Sequence, residues 1–302
     1  MDLRYAFRRA WRITWHQRGL WLFGLLASLS SRLRPAIGWT NPPPEIAHLV
    51  ERVTASSWFG LIAATLFLLS IVITLGVTFV NALGESALAA QVYRIEDGRR
   101  PSQADGWATG RAQAQPVFLI ILLLGLPVFF LVGIGVVAYL VTIRAISPSL
   151  PAPIDQMPVV GASLACLAPA LCLGAILAVP LHILQRLAVL ACVLEGRTPW
   201  ESVTRGWEVL RDQLGPVLGI WLIGLLVSLG GAALVGAPCG ASVLVLRMSQ
   251  WLTEGVSLGL AIGSTLFFWL TGLAVNTILE TFRSALWTLA YRQLTGMGRR
   301  GE

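Results

Sequence analysis

From Val217 to Val235 the chain is an almost unbroken apolar run, long enough as a helix to cross a bilayer core of roughly 30 Å. What precedes it is equally definite. Thr198, Pro199, Trp200 and Glu201 spell a helix start: a capping hydroxyl, proline at the first helical position and a carboxylate three residues after the cap. Trp200, Val203, Trp207, Leu210 and Leu214 then recur at spacings of three and four, with Glu201, Arg205, Glu208, Arg211 and Asp212 on the other side. The pattern stops at Gly215-Pro216. The unit is an amphipathic interfacial helix feeding a spanning helix.

Composition extends this reading to the whole chain. Of 302 residues 56% are hydrophobic and 12% charged, and the mean hydropathy is +0.73, a balance foreign to water-soluble domains of this size. The net charge of +7 comes from arginines beside apolar runs, which suits anionic lipid headgroups and argues against nucleic acid as a partner. Cys166, Cys172, Cys192 and Cys239 lie in or next to apolar segments without metal-ligand spacing and read as buried inert thiols.

The same unit recurs. Leu3, Phe7, Trp11 and Trp15 repeat every fourth residue beside a parallel stripe of Arg4, Arg8 and Arg12, predicting a basic amphipathic helix on the membrane. Trp11, Trp107 and Trp207 each stand eight residues before the next apolar run begins, at Gly19-Leu20, Gln115-Pro116 and Gly215-Pro216. The first run, Leu20 to Leu29, is short for a span and also fits the hydrophobic part of a cleaved signal peptide with Ala27 nearby; the internal repeat argues against that. Residues 34–56 form the longest polar loop, with a short helix through Ile46, Val50 and Val53. Trp58 to Asn81, Pro116 to Ile143, Val159 to Leu181 and Val256 to Leu279 supply further spans, with kinks expected at Pro127, Pro169 and Pro180 and a break at Pro238-Cys239-Gly240.

Several short matches support the repeat. Ser86-Ala87-Leu88 and Tyr93-Arg94 recur as Ser284-Ala285-Leu286 and Tyr291-Arg292; Asn81 and Glu85 recur as Asn276 and Glu280; Asp97-Gly98-Arg99 recurs as Glu195-Gly196-Arg197. The expected fold is an all-α integral membrane protein with six transmembrane helices in three tandem helical hairpins and interfacial amphipathic helices on the cytoplasmic side. It forms a single membrane domain over 1–302, with repeats at approximately 1–98, 99–197 and 198–296. Arginine is dense at residues 1–18, 94–111, 186–211 and 283–300, so the positive-inside rule places both termini in the cytoplasm of a cell-membrane protein.

Ser70, Thr74, Thr78, Asn81 and Glu85 share one helix face, and Asn276, Glu280, Arg283 and His182 fall near the same level on the later return helices. Asn81, Glu85, His182, Asn276 and Glu280 are therefore candidates for a polar seam open to the cytoplasm. The plainer reading has the hydroxyls bonding their own backbone and the charged groups sitting at headgroup depth. Gly255, Gly259 and Gly263 form a small-residue groove suited to close packing within the chain, or to self-association. Headgroup contacts are expected from Arg4, Arg8, Arg12, Arg99, Arg197, Arg205 and Arg211. No nucleophile elbow, phosphate-binding glycine loop or histidine grouping points to an enzyme, and no cofactor or metal is expected.

Ala10-Trp11-Arg12, Gly19-Leu20-Trp21-Leu22-Phe23-Gly24, the Glu195-Gly196-Arg197 to Trp207 segment and the Ala285 to Leu294 helix together resemble bacterial six-span membrane proteins of unknown function. These are akin to the membrane domain that accompanies some glycerophosphoryl diester phosphodiesterases. In those enzymes catalysis belongs to a separate soluble barrel, so the resemblance implies a membrane module with a lipid connection and no catalytic residues. Two functions follow as expectations: a noncatalytic scaffold contacting anionic lipid and a partner protein, or a transporter or permeation pathway through the polar seam.

Overall fold

The computed structural model describes residues 3–32, 59–146, 157–248 and 254–297. Among them every regular element is helical: α1 (Leu3–His16), a 3-10 turn at Arg18–Leu20, α2 (Trp21–Arg32), α3 (Phe59–Glu96), α4 (Gln103–Ile146), α5 (Met157–Glu195), α6 (Pro199–Asp212), α7 (Leu214–Met248) and α8 (Glu254–Thr295). Among the described residues four segments are long and apolar enough to cross a membrane: Leu68–Glu96, Gln103–Gly135, Cys172–Glu195 and Leu214–Leu234. By helix length and composition this is a membrane protein. Within the described residues α2 covers 12 residues, about 18 Å of helix. The 34–56 loop, with its short helix, lies outside the described residues.

The three return helices, α3, α5 and α8, hold 38, 39 and 42 residues, or roughly 57 to 63 Å, about twice the thickness of the hydrocarbon core. Their two halves differ. Toward the start of α3, Leu61, Leu68 and Val72 are exposed, as are Ile176 on α5 and Leu266 and Phe267 on α8. Toward their ends, residues 82–92, 183–192 and 282–291 carry most of the buried core. The compact part of the molecule is thus a cap built on the ends of three helices, with apolar helix surface extending from one side of it. An exposed apolar belt beside a close-packed cap is the division expected where lipid replaces protein as the neighbour.

Each return helix ends at a glycine in the left-handed region: Gly98 at φ 75°, Gly196 at 67° and Gly296 at 71°. A side chain is disfavoured there, and the turn satisfies the last carbonyls; the Gly196 amide, for example, donates to Cys192 O at 3.1 Å. The third glycine extends to the end of the chain a correspondence visible in sequence only at the first two.

The amphipathic helices dock on these ends. In α4 the first turns bring Gly110 against α3, where a Cβ would stand 3.1 Å from Leu83 O and 3.2 Å from Ala87 Cβ. Gly206 of α6 sits likewise on α5, against Leu184 and Ala188, two residues with the same spacing as Leu83 and Ala87. α1 packs on α8, burying Ala6, Ala10 and Ile13 and setting the Phe7 and Trp11 rings edge-on to Phe282. α4 on α3, α6 on α5 and α1 on α8 close a circle.

α1 and α6 dock through faces that run along Ala6-Ala10-Ile13 and Ser202-Gly206-Val209-Leu210, while Phe7, Trp11 and Trp15 and Trp200 and Trp207 stay exposed beside them. Small side chains win because they let the helix axes approach, while bulky aromatics stay at the edge. The junction predicted at Gln115-Pro116 is absent: α4 runs unbroken from Gln103 to Ile146. The corresponding α6–α7 junction bends at Gln213 (φ −135°, ψ 44°), just before the glycine of Gly215-Pro216 that α4 replaces with Gln115. The backbone also stays helical through Pro238-Cys239-Gly240.

Candidate functional site

Where α3, α5 and α8 meet, at the base of the cap, the structure places a buried ion cluster. Arg186 of α5 reaches Glu85 of α3 through Nη1 at 2.9 Å and Glu280 of α8 through Nη2 at 2.6 Å. Arg283, one turn along α8, pairs with the second Glu280 oxygen at 3.3 Å. The Glu85, Glu280 and Arg186 side chains are only 6%, 11% and 12% exposed. A guanidinium suits this place because its rigid fork engages two carboxylates at once and stays charged when buried. Two arginines face two glutamates, so the formal charges cancel.

Helix periodicity brings in the rest. Asn81 lies one turn before Glu85 and within reach of its carboxylate; His182 lies one turn before Arg186 and close enough to feel the charges of Arg186, Arg283 and Glu280. Asn276, one turn before Glu280, is half-buried. Of the five seam candidates, Glu85 and Glu280 are bridged directly, Asn81 and His182 flank the bridge, and Asn276 stands just beyond it.

Arg186, the residue that joins them, was absent from the sequence-derived set. It sits at the edge of the arginine-dense segment 186–211, where it counted only toward the charge bias. Its signal was its position one turn after His182, on the face toward the other return helices. Four polar atoms of the cluster find no hydrogen-bond partner: Asn81 Oδ1, Glu85 Oε2, Arg186 Nε and Arg283 Nε. Below it, Thr74 and Thr78 donate to Ser70 O and Thr74 O, both at 2.7 Å, so these hydroxyls bond their own helix as the plainer reading expected.

A second polar layer ties the helix ends together. Arg292 of α8 pairs with Asp97 at 3.0 Å and lies over the Tyr93 ring, 4.8 Å from its centroid. Glu195, at the end of α5, accepts from the Tyr291 hydroxyl and pairs with Arg197 at 2.6 Å and Arg205 at 3.7 Å. Burial, reinforced by Glu195, pushes the Tyr291 phenol well above its ordinary value, so this group acts as a donor. Arg9 of α1 pairs with Glu96 at 2.6 Å, joining the first helix to the end of α3.

The arginines expected at headgroups divide accordingly. Arg197 and Arg205 are engaged by Glu195, whereas Arg4, Arg8 and Arg12 occupy the exposed face of α1 and, with Tyr5 and Arg9, line a hollow of about 410 Å³. Arg99 and Arg211 are exposed at the ends of α3 and α6.

Gly263 is exposed, and a Cβ there would meet nothing within 4 Å among the described residues; the surroundings of Gly255 and Gly259 lie outside what is described. Close approaches occur instead at Gly24, against Thr277 and Thr281 of α8, at Gly84, against the α2 backbone, and at Gly231, against Leu279. Cys192 is buried as expected, but Cys172 is exposed on an apolar stretch of α5. Among the described residues no cluster of histidine, cysteine and carboxylate side chains has the makings of a metal site. No family model, curated protein or solved structure matches the chain.

Proposed function

We propose that this chain is a noncatalytic integral membrane module whose cytoplasmic-side helices hold anionic lipid headgroups and steady a partner protein. One observation carries the reading. α1 is fastened to the cap by a narrow face of Ala6, Ala10 and Ile13, which leaves Phe7, Trp11 and Trp15 exposed beside the exposed stripe of Arg4, Arg8 and Arg12. An aromatic stripe next to an arginine stripe is the arrangement of a helix lying at the level of headgroups, rings toward the acyl boundary and guanidinium groups toward phosphate. Each such arginine contributes about 1 kcal/mol at an anionic surface, so three together amount to about 3 kcal/mol.

The same proposal includes six spans in three tandem hairpins, with both termini on the cytoplasmic side of the cell membrane. It is supported by the pairing of α2 with α3, α4 with α5 and α7 with α8, by the three matching glycine turns, and by the arginine bias. Kinship with the membrane domain that accompanies some phosphodiesterases rests on the loose motifs quoted above. The polar seam favours this reading over a permeation pathway, because the charges at its head are paired with one another across three helices.

The test replaces Arg4, Arg8 and Arg12 with glutamine in the full-length chain reconstituted in nanodiscs of mixed neutral and anionic lipid. Anionic lipid co-purifying with the protein is expected to fall while insertion and yield are kept. Unchanged retention removes the basis of the proposal.

A further inference from the structure

Along three helices, exposure rises with distance from the ion cluster. On α3, Glu85 is buried, Thr78 half-buried and Thr74 and Ser70 exposed, all on one face; on α5, Val179 is half-buried and Ala175 exposed below His182; on α8, Glu280 is buried, Leu273 half-buried and Leu266 exposed. From Leu68 to Gly76, α3 is exposed at every position, hence on all sides, including the side that points along the seam. The return helices are joined at the cluster and part below it.

Lipid, rather than water, suits the space so formed. Its walls are apolar apart from Ser and Thr on α3 and Asn276 near the top of α8, and the Thr74 and Thr78 hydroxyls are satisfied by their own helix. A water column needs lining groups free to hydrogen-bond, whereas an acyl chain needs only apolar surface. At the top, a chain entering along the seam meets Asn81 and then Glu85, whose Oδ1 and Oε2 acceptors have no partner; the Nε donors of Arg186 and Arg283 are unpartnered in the same cluster. Glu85 is 5% exposed, so its free oxygen is buried and incurs a desolvation cost that a ligand donor offsets.

From this arrangement we infer a lipid site distinct from the α1 surface: an uncharged long-chain amphiphile bearing a hydroxyl head occupies the seam, its chain between the parted helices and its head beneath Arg186. The cluster selects for charge as well as polarity. Two guanidinium groups against two carboxylates leave no net charge to hold an ionic head, while a hydroxyl both donates to the free acceptors and accepts from the free donors. Arg8 and Arg12 take no part, so failure of the α1 proposal leaves this one standing, and the reverse.

The test uses the full-length chain in liposomes of neutral phospholipid containing a photoactivatable diacylglycerol or, separately, a photoactivatable fatty acid, with adducts mapped by mass spectrometry. Diacylglycerol adducts are expected on residues 68–78 of α3 and along the Leu266–Leu273 face of α8, competed by unlabelled diacylglycerol. Thr74→Trp fills the seam at an exposed position remote from the cluster and lowers these adducts about tenfold, equivalent to 1.4 kcal/mol. Glu85→Gln keeps the side-chain shape but leaves one net positive charge, and shifts preference toward the fatty acid. Arg8→Gln with Arg12→Gln leaves the adducts unchanged. The inference fails if adducts spread evenly onto outward residues such as Phe129 and Leu229, if Thr74→Trp has no effect, or if the unaltered chain prefers the fatty acid.

Discussion

Arg186 is the side chain that bridges the three return helices, and removing it strands the buried Glu85 carboxylate and leaves Glu280 with Arg283 alone. Breaking a buried pair from one side costs about 3–5 kcal/mol, more than the pair contributes relative to apolar packing. Arg186→Leu is therefore expected to lower stability by that amount in denaturant or thermal unfolding in detergent, and adding Glu85→Gln to recover part of the loss; a cost below about 1 kcal/mol, the level of a surface pair, is incompatible with the cluster. Tyr291 gives a pH signature. Its folded phenol is raised by burial first and by Glu195 second, so folding favours the protonated form. That contribution is complete below the ordinary phenol value of about 10 and disappears as pH climbs through the raised folded value. Alkaline unfolding curves should fall in this range for the native chain and flatten for Tyr291→Phe, which also loses about 1 kcal/mol at neutral pH with the hydrogen bond.

At the scale of the element, glycine separates helices that touch from helices that do not. A Cβ on Gly84 would stand 2.6 Å from Ala27 N and 2.9 Å from Phe23 O, atoms of α2 that have no room to yield. Gly84→Val is expected to cost roughly 1–3 kcal/mol by pushing α2 from α3. Gly263→Val, on a helix position with open space around it, should stay within about 0.5 kcal/mol. Both values come from unfolding in the same detergent, and equal costs would mean that α2 does not pack as described. The sequence distinguished these helices poorly. Of the groove read from Gly255, Gly259 and Gly263 only Gly263 has described surroundings, and these are open, while Gly24 and Gly84, isolated in sequence, each carry a tight crossing. Spacing reveals a face, but only the partner helix decides whether that face is used. The amphipathic helices show the same limit: periodicity identified α1 and α6 and placed their tryptophans at the membrane, but it left unmarked the faces that dock on the cap, Ala6-Ala10-Ile13 and Ser202-Gly206-Val209.

For the whole molecule, topology is the decisive measurement. Arg99 and Arg205 belong to the arginine-rich side, and single cysteines placed there, in a background lacking the four native cysteines, should react with impermeant reagents only after the cytoplasmic face is opened. Reaction on intact cells would reverse the orientation. What the residues determine by themselves is the class of fold: apolar runs of bilayer length have to be helices, because lipid offers no partner for an unpaired amide. The helix stops at Gly98 and Gly196 were legible too, since a left-handed glycine at a helix end is a local property. The cluster was half legible. Asn81, Glu85, His182 and Glu280 could be placed at one level because rise per residue is fixed. That Arg186 turns inward to bridge two carboxylates, and that α1 closes the circle on α8 nearly three hundred residues away, were decided only by tertiary packing, since rotation of one helix about its axis relative to another is set by the contacts between them and by nothing along the chain.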